Sequence, residues 1–378
     1  MIYREYGRTG KKVSVIGFGG MRFEDIDNEQ QCVEMLVHAA ERGINYFDTA
    51  PAYFGVKGET RFGAGLRQLR RCGLPYYVAS KTFESTESGI RREIEQQLKR
   101  MDVETIDFYH AWCITDLQSW RERKANGLLD AFRRLRDQKL IGHICVSSHL
   151  IGDDIRELLD ERVFEGVLFG YSAYNFQARE AAFAAIRRHK IGCAVMNPLG
   201  GGLIPQNPDL FAFLVGGELG DEGPVRSRAV VQAALRFLVA HQDISVILVG
   251  FENRRQIDDA VDAIRGDRLH DSTVIQRVRQ SAAASFSGIC TGCRYCLGSC
   301  PEDIPIPQLM DAYNQLILRG EKDLINRLKY HWDLPMREAA RCIECGRCEE
   351  SCTQHLQIIE RLAAIAEIGD RHAHTTEK

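Results

Sequence analysis

Thirteen cysteines are present, and eight of them fall in two runs near the end of the chain. Cys290, Cys293, Cys296 and Cys300, followed by Pro301, read C-x2-C-x2-C-x3-C-P. This spacing lets three thiolates wrap a [4Fe–4S] cubane in one tight loop whose backbone N–H groups turn toward the sulfurs. Cys342, Cys345, Cys348 and Cys352 repeat it, with Thr353 in place of the proline. Structural zinc also uses Cys-x2-Cys pairs, but it takes two pairs per ion, not a triplet and a distant fourth. The other five, Cys32, Cys72, Cys113, Cys145 and Cys193, are scattered and read as free thiols.

In two-cluster ferredoxins the fourth cysteine of each run ligates the other run's cluster. By that rule one cluster takes Cys290, Cys293, Cys296 and Cys352, and the other takes Cys342, Cys345, Cys348 and Cys300. The segment from Gln308 to Glu338 between the runs has apolar residues at helical spacing: Leu309, Tyr313, Leu316 and Ile317. A mainly helical two-cluster module over residues 276–366 is therefore expected, ending in a flexible polar tail, 367–378.

The rest of the chain must supply any further chemistry. Its 378 residues are 44% hydrophobic and 27% charged, with a formal net charge of −3. That balance fits a soluble globular protein and gives no footprint for nucleic acid or an anionic membrane. The first residues carry charges where a signal peptide needs an apolar core, and no run approaches a membrane span. A cytoplasmic setting follows, and there thiols stay reduced and serve metal or redox chemistry rather than disulfides.

Eight short apolar runs alternate with helical stretches: Val15–Phe18, Asn45–Asp48, Tyr76–Ser80, Asp107–Ala111, His143–Ser147, Gly166–Tyr171, Gly192–Met196 and Ser245–Val249. Glu29–Glu41, Glu87–Arg100 and Arg226–His241 are among the helix candidates. Eight βα units in about 250 residues predict an eight-stranded β/α (TIM) barrel over residues 1–275, with its chemistry at the C-terminal strand ends. An open doubly wound sheet would need G-x-G-x-x-G after its first strand. Gly17-Phe18-Gly19-Gly20-Met21-Arg22 lacks the third glycine.

At those strand ends stand Asp48-Thr49-Ala50-Pro51-Ala52-Tyr53 and Ala79-Ser80-Lys81-Thr82. With Gly142–Ser148, Tyr174-Asn175, Asn197–Gly202 and Ala234–Phe237, they carry a resemblance to the aldo/keto reductases, in particular to members with a C-terminal two-cluster ferredoxin-like extension. The resemblance implies NADP(H)-dependent hydride transfer to or from a small carbonyl or alcohol. Tyr53 would be the general acid, Lys81 would stabilise its phenolate, and Asp48 would hold the lysine. A free tyrosine titrates at about 10, so exchange near neutrality needs such help. Each residue alone also has a plain reading: a helix cap, a solvated charge, a packed aromatic.

The family's fourth residue, a histidine orienting the substrate carbonyl, has no simple counterpart. Ungapped counting from Asp107 gives Trp112, whereas the histidine is His110. Two residues apart, both share one strand face, with His110 deeper. An indole N–H donates a hydrogen bond but exchanges no proton. Both assignments stay open, as does an interior structural role for His110.

For the cofactor, the resemblance implies contacts at Gly20 and Met21, at Ser147 and Ser148, a stacking aromatic at Tyr171, and pyrophosphate near Pro198, Leu199, Gly200 and Gly201. Arg254 and Arg255 open a helix after the eighth strand, where a 2′-phosphate can be bound. The glycine-bearing segment from Leu203 to Pro224 reads as a flap. Two alternatives to a nicotinamide reductase follow from the cysteines: an enzyme drawing single electrons from a ferredoxin or other redox protein, and an electron-transfer subunit keeping the barrel as scaffold.

Overall fold

The computed structural model describes residues 1–173, 176, 179–215, 223–265, 289–290, 296–352 and 356–376. The chain forms two compact units, Met1–Ala282 and Ala283–Lys378. The boundary expected between 275 and 276 lies outside the described residues.

In the first unit a hairpin of β1 (Tyr3–Glu5) and β2 (Lys12–Ser14) precedes a closed parallel barrel. Its staves are β3 (Ile16–Gly19), β4 (Tyr46–Asp48), β5 (Tyr77–Thr82), β6 (Ile106–Ile114), β7 (Ile141–Ser148), β8 (Gly166–Gly170), β9 (Gly192–Met196) and β10 (Val246–Gly250). They follow in chain order, and β10 pairs back onto β3. All eight expected runs are strands.

The strands form here because each apolar run is buried on both faces, one toward the barrel interior and one toward the helices. Inside lie Tyr46, Ala79, Phe108, Cys145, Leu168, Ala194, Val246 and Leu248, in a core joined by Tyr6 and Val13 from the hairpin segment. Sequence periodicity did not reveal the hairpin, whose strands have three residues each. Long-range bonds hold it: the Arg4 guanidinium donates to the carbonyls of Val239, His241 and Ile244.

The helix Glu87–Met101 shows how the outer layer is specified. Thr86 caps it by accepting from Gly89 N–H, Ile90, Ile94, Gln97 and Met101 form its buried stripe, and left-handed Asp102 ends it. The helix Glu29–Glu41 has the bounds the sequence suggests and is capped by Asn28. The helix near 226–241 spans Gly223–Ala240.

In the second unit, the helix Ile306–Arg319 leads into Glu321–Asn326, a π turn Arg327–Trp332, a 3-10 turn Met336–Arg341, and the short helix Arg347–Glu350. Asp311 fixes that sequence of turns by accepting from Arg327 Nε at 2.6 Å and Trp332 Nε1 at 2.8 Å. Ile317, expected on the apolar stripe, is 50% exposed, and Leu318 is the buried residue in its place. Of the tail expected to be flexible, 377–378 lie outside the described residues, and residues 367–376 continue the helix Ile358–Thr376, with Arg371 and His372 paired to Glu321. Its apolar face, Leu362 and Ile365, packs in the core that also holds Cys296, Cys348 and Cys352. Among the described residues no helix is long and apolar enough to cross a membrane.

Candidate active site and cysteine cradle

Three neighbouring staves converge on one ion pair. Asp48 closes β4 and Lys81 lies near the end of β5, both facing inward. Lys81 Nζ is 2.7 Å from Asp48 Oδ1 and 3.0 Å from Oδ2, and both side chains are almost fully buried. Tyr53, in the turn after β4, brings its ring to within 5.2 Å of Lys81 Nζ. Burial alone would push the Lys81 ammonium down, but Asp48 and then Tyr53 hold it above its ordinary range. For Tyr53 burial wins: it raises the phenol's pKa, while the Lys81 charge pulls the other way. The lysine thus supports the phenolate without bringing the phenol below its usual value.

Behind the barrel wall a polar network fixes β5. Gln97 Nε2 donates to Lys81 O at 2.9 Å and to Ser80 Oγ at 3.2 Å, and Ser80 Oγ donates to Glu59, which Arg100 neutralises at 2.6 Å. A fully buried glutamate is tolerated because every charge there is paired.

β6 carries both candidates for the fourth position. Register pairs His110 with Lys81, so the imidazole lies within the barrel and is fully buried. Its Nδ1 is 3.1 Å from Ser80 O, an acceptor only, so Nδ1 bears the proton and Nε2 is left as an unpartnered buried lone pair. Burial, reinforced by the Lys81 charge, pushes His110 down to about 3. The expected result of a nitrogen NMR titration is a neutral Nδ1–H imidazole from about pH 5 upward; a midpoint near the ordinary value of about 6.5 would contradict this burial.

Trp112, two residues nearer the mouth, lies edge-on to the Tyr53 ring at 6.0 Å and 5.9 Å from Lys81 Nζ. A bulge between Ala111 and Ile114 turns the strand there, with Cys113 in the left-handed region at φ 64°. The tryptophan thus faces both Tyr53 and Lys81, while the buried histidine neighbours Lys81 from deeper in the barrel.

The anticipated cofactor residues divide. Ser147 faces the interior, two residues beyond Cys145 on the same strand face. Ser148 faces outward and is engaged with the carbonyl of Ile114 and the N–H of Leu150. Gly20 is a splice: its N–H donates to Asp48 O at 2.8 Å, and a Cβ there would meet the Phe62 ring at 2.5 Å. Met21 is 57% exposed at the mouth.

Tyr171 does not reach the mouth. It is fully buried among Phe183, Phe237 and His241, and its hydroxyl is 3.2 Å from His241 Nε2, so its ring is withdrawn from any stacking role. Arg254 is turned to Glu34 at 2.5 Å, whereas Arg255 is exposed and only 4.0 Å from Asp259 at its nearest. Tyr174, Asn175 and the glycines 216, 217 and 220 of the expected flap lie outside the described residues.

The loop after β9 runs Pro198, Leu199, Gly200, Gly201, Gly202, and its three glycines have φ of 63°, 65° and 98°. Side chains would make three successive left-handed residues costly, and the turn is closed on itself, Gly200 N–H donating to Asn197 O at 2.9 Å and Gly202 N–H to Leu199 O at 3.2 Å. Sequence reasoning passed over Arg22, which lies across this part of the mouth. A Cβ on Gly250 would meet its Cγ at 2.5 Å, and Nη2 lies 3.9 Å from the Cβ position of Gly201. The clue was available: Arg22 follows the glycines that end β3. A basic side chain beside a loop that bears no side chains of its own fits the close approach of a dinucleotide's pyrophosphate.

In the second unit Cys300, Cys342, Cys345 and Cys348 line one small cavity, together with Pro301, Ile304 and Leu362. That is the exchanged set, the last cysteine of the first run joining three of the second. Among the described residues no three His, Cys, Asp or Glu side chains converge as a single metal ion requires. Four thiols ringing a cavity instead suit a cubane, whose irons spread their ligands apart. Cys290, Cys296 and Cys352 belong to the same core, and Asn314 grips Cys290 from both sides, accepting from its N–H at 2.9 Å and donating to its carbonyl at 2.8 Å. Cys293 lies outside the described residues.

Comparison with known proteins agrees with both units. A family model described as the aldo/keto reductase family matches residues 15–282, and a 4Fe-4S dicluster domain matches 289–358. L-galactose dehydrogenase of Arabidopsis thaliana is 25% identical over 284 residues, covering 69% of this chain and 87% of that protein. The aldo-keto reductase AKR11C1 of Bacillus halodurans superposes with a TM-score of 0.62 at 22% identity, over 74% of this chain and 96% of that one. An aldo-keto reductase of Klebsiella pneumoniae solved with NADPH gives 0.59 at 17% identity, over 75% and 96%. The closed barrel, its buried lysine–aspartate pair and the match over most of the chain make this protein an oxidoreductase of the aldo/keto reductase family, carrying a C-terminal iron–sulfur domain.

Proposed function

We propose that the barrel transfers hydride between NADP(H) and a small carbonyl or alcohol, and that the second unit holds two [4Fe–4S] clusters. The observation that carries the reading is the buried Asp48–Lys81 pair set against Tyr53 at the mouth of the barrel. Arg22 and the loop Pro198–Gly201 would hold NADPH, which would supply the hydride. Tyr53 gives its phenolic proton to the carbonyl oxygen as charge grows there. Lys81 steadies the phenolate that remains, and Asp48 keeps the ammonium in place. In alcohol oxidation the same proton returns to Tyr53.

NADP(H) is favoured over NAD(H) by Arg255, the more exposed arginine of its pair (78% against 54%) and no closer than 4.0 Å to its nearest carboxylate, Asp259, which leaves it placed to meet a 2′-phosphate. Replacing Arg22 by alanine should raise the KM for NADPH by about tenfold with little change in kcat, since a charge-assisted bond contributes roughly 1.5–3 kcal/mol. Equal KM values by stopped-flow or steady-state assay would remove Arg22 from the cofactor site.

A cytoplasmic enzyme with this equipment works on small molecules and, through its clusters, with a redox protein such as a ferredoxin. An anaerobic mixing experiment tests the whole reading. NADPH and a panel of aldehydes are added to the cluster-loaded protein while nicotinamide absorbance, cluster absorbance and paramagnetic signals are followed. Aldehyde-dependent NADPH loss supports hydride transfer; its absence across the panel sinks that assignment. Unchanged clusters during turnover leave them to a partner or to the stability of their own unit, whereas reduced clusters couple them to the barrel.

A further inference from the structure

Among the described residues of the first unit six large apolar side chains are exposed, and four of them, Tyr3 and Val225 aside, share one end of the barrel. Met21, Phe54, Val56 and Phe83 are 57%, 39%, 62% and 51% exposed, and all follow β3, β4 or β5 at the end where Tyr53 lies. Phe83 stacks on Trp112 with ring centroids 3.9 Å apart and planes 20° from parallel. Trp112 in turn stands edge-on to Tyr53. A continuous aromatic surface thus runs from solvent to the phenol.

The surface is held deliberately. Cys113 adopts φ 64°, a left-handed conformation costly for a side-chain-bearing residue, and Arg123 Nη1 donates to Trp112 O at 2.6 Å to fix the bulge. Without the bulge the strand would continue straight and carry the indole elsewhere. Strain kept beside the reacting groups points to a role for the ring that is aimed there.

The chemistry of this wall is one-sided. Phe83 and Phe54 have no polar atom, Trp112 has a single donor, and Asp48 and Lys81 are committed to each other. A substrate rich in hydroxyls would lose water along this side and find few partners. A flat ring would displace the same water and gain stacking on an existing aromatic pair.

We propose that Phe83 and Trp112 are the specificity-determining residues of the site and select an aryl aldehyde or aryl ketone over a polyhydroxylated carbonyl. The proposal rests on the hydride-transfer reading for its chemistry, but its binding claim is separate. Two measurements test it on the full cluster-loaded chain: turnover of 4-nitrobenzaldehyde and D-glyceraldehyde with NADPH, and calorimetric binding of 4-nitrobenzyl alcohol.

Phe83→Ala should lower the ratio of kcat/KM for the aryl aldehyde over glyceraldehyde by roughly three- to tenfold, mainly through KM, and weaken binding of the aryl alcohol to a similar degree. Phe83→Tyr, which keeps the ring, should restore both. Trp112→His should shift the ratio the same way. Phe83 is exposed, so its replacement tests the surface without threatening the fold. An unchanged ratio with unchanged alcohol binding overturns the proposal, as does an equal fall for both aldehydes. If neither aldehyde turns over yet the aryl alcohol binds and Phe83→Ala weakens it, the wall stands and the hydride reading falls.

Discussion

Tyr53→Phe lowers carbonyl reduction by about 10²–10⁴-fold in kcat, the usual contribution of a positioned proton donor, while NADPH binding and cluster absorbance stay at wild-type levels. The change removes one oxygen and leaves the ring against Trp112 and Lys81, so packing is conserved. Because burial raises the phenol's pKa, Tyr53 stays protonated through neutral pH, and wild-type reduction should be level there and fall only above about pH 10. Alcohol oxidation, which needs the phenolate, should rise with pH over the same span. Steady-state rates in both directions check this; a variant with wild-type kcat would remove Tyr53 from the chemistry.

Lys81→Met needs a companion. Alone it strands the buried Asp48 carboxylate, and losing one partner of such a pair costs about 3–5 kcal/mol. Lys81→Met with Asp48→Leu should regain most of that stability in thermal melts without regaining activity. The difference separates the pair's part in folding from its part in catalysis.

The second large effect lies in the cysteines. Cys300→Ser should halve the iron content by emptying the cradle formed with Cys342, Cys345 and Cys348. Adding Cys345→Ser to it should then lose nothing further, whereas adding Cys290→Ser should remove the remaining iron. Ligation within each run gives the reverse pattern, so two double variants, iron analysis and paramagnetic spectra decide between them.

The parts of this molecule visible in sequence are those set by short-range pattern. Apolar runs buried on two faces announced all eight staves, and the candidates Glu29–Glu41 and Glu87–Arg100 announced the helices Glu29–Glu41 and Glu87–Met101. The family resemblance singled out Asp48, Tyr53 and Lys81, and strand-end placement supported it, because a parallel barrel puts its strand ends on one rim. Cysteine spacing was equally local.

What escaped depended on distant contacts. Tyr171 follows a strand like the other candidates, but its ring turns outward into a pocket built by Phe183 and Phe237 from two later helices. Arg22 gained meaning only when β10 and the loop after β9 closed beneath it. Counting along Asp107–Cys113 left His110 and Trp112 level, and the bulge beyond them, with Trp112 against Tyr53 and His110 deeper beside Lys81, was invisible to periodicity. The tail looked polar enough to fray, yet Leu362 and Ile365 anchor the start of its helix and Glu321 holds Arg371.

The hairpin before the barrel bears on how the chain is made. Arg4 leaves the ribosome more than two hundred residues ahead of the carbonyls it grips, on Val239, His241 and Ile244, after which only β10 and the helix Arg254–Ala263 of the described barrel follow. The nascent first unit must therefore wait, floor open, for almost its whole length. Once those residues appear, the second unit of Ala283–Lys378 is still to be translated. At roughly 5–20 residues per second, about 5–20 s separate the end of β10 from Cys348, which completes the first set of four cluster cysteines, and in that time the barrel can close. Iron starvation should accordingly yield chains with a finished barrel and an unfilled second unit, and not chains misfolded throughout.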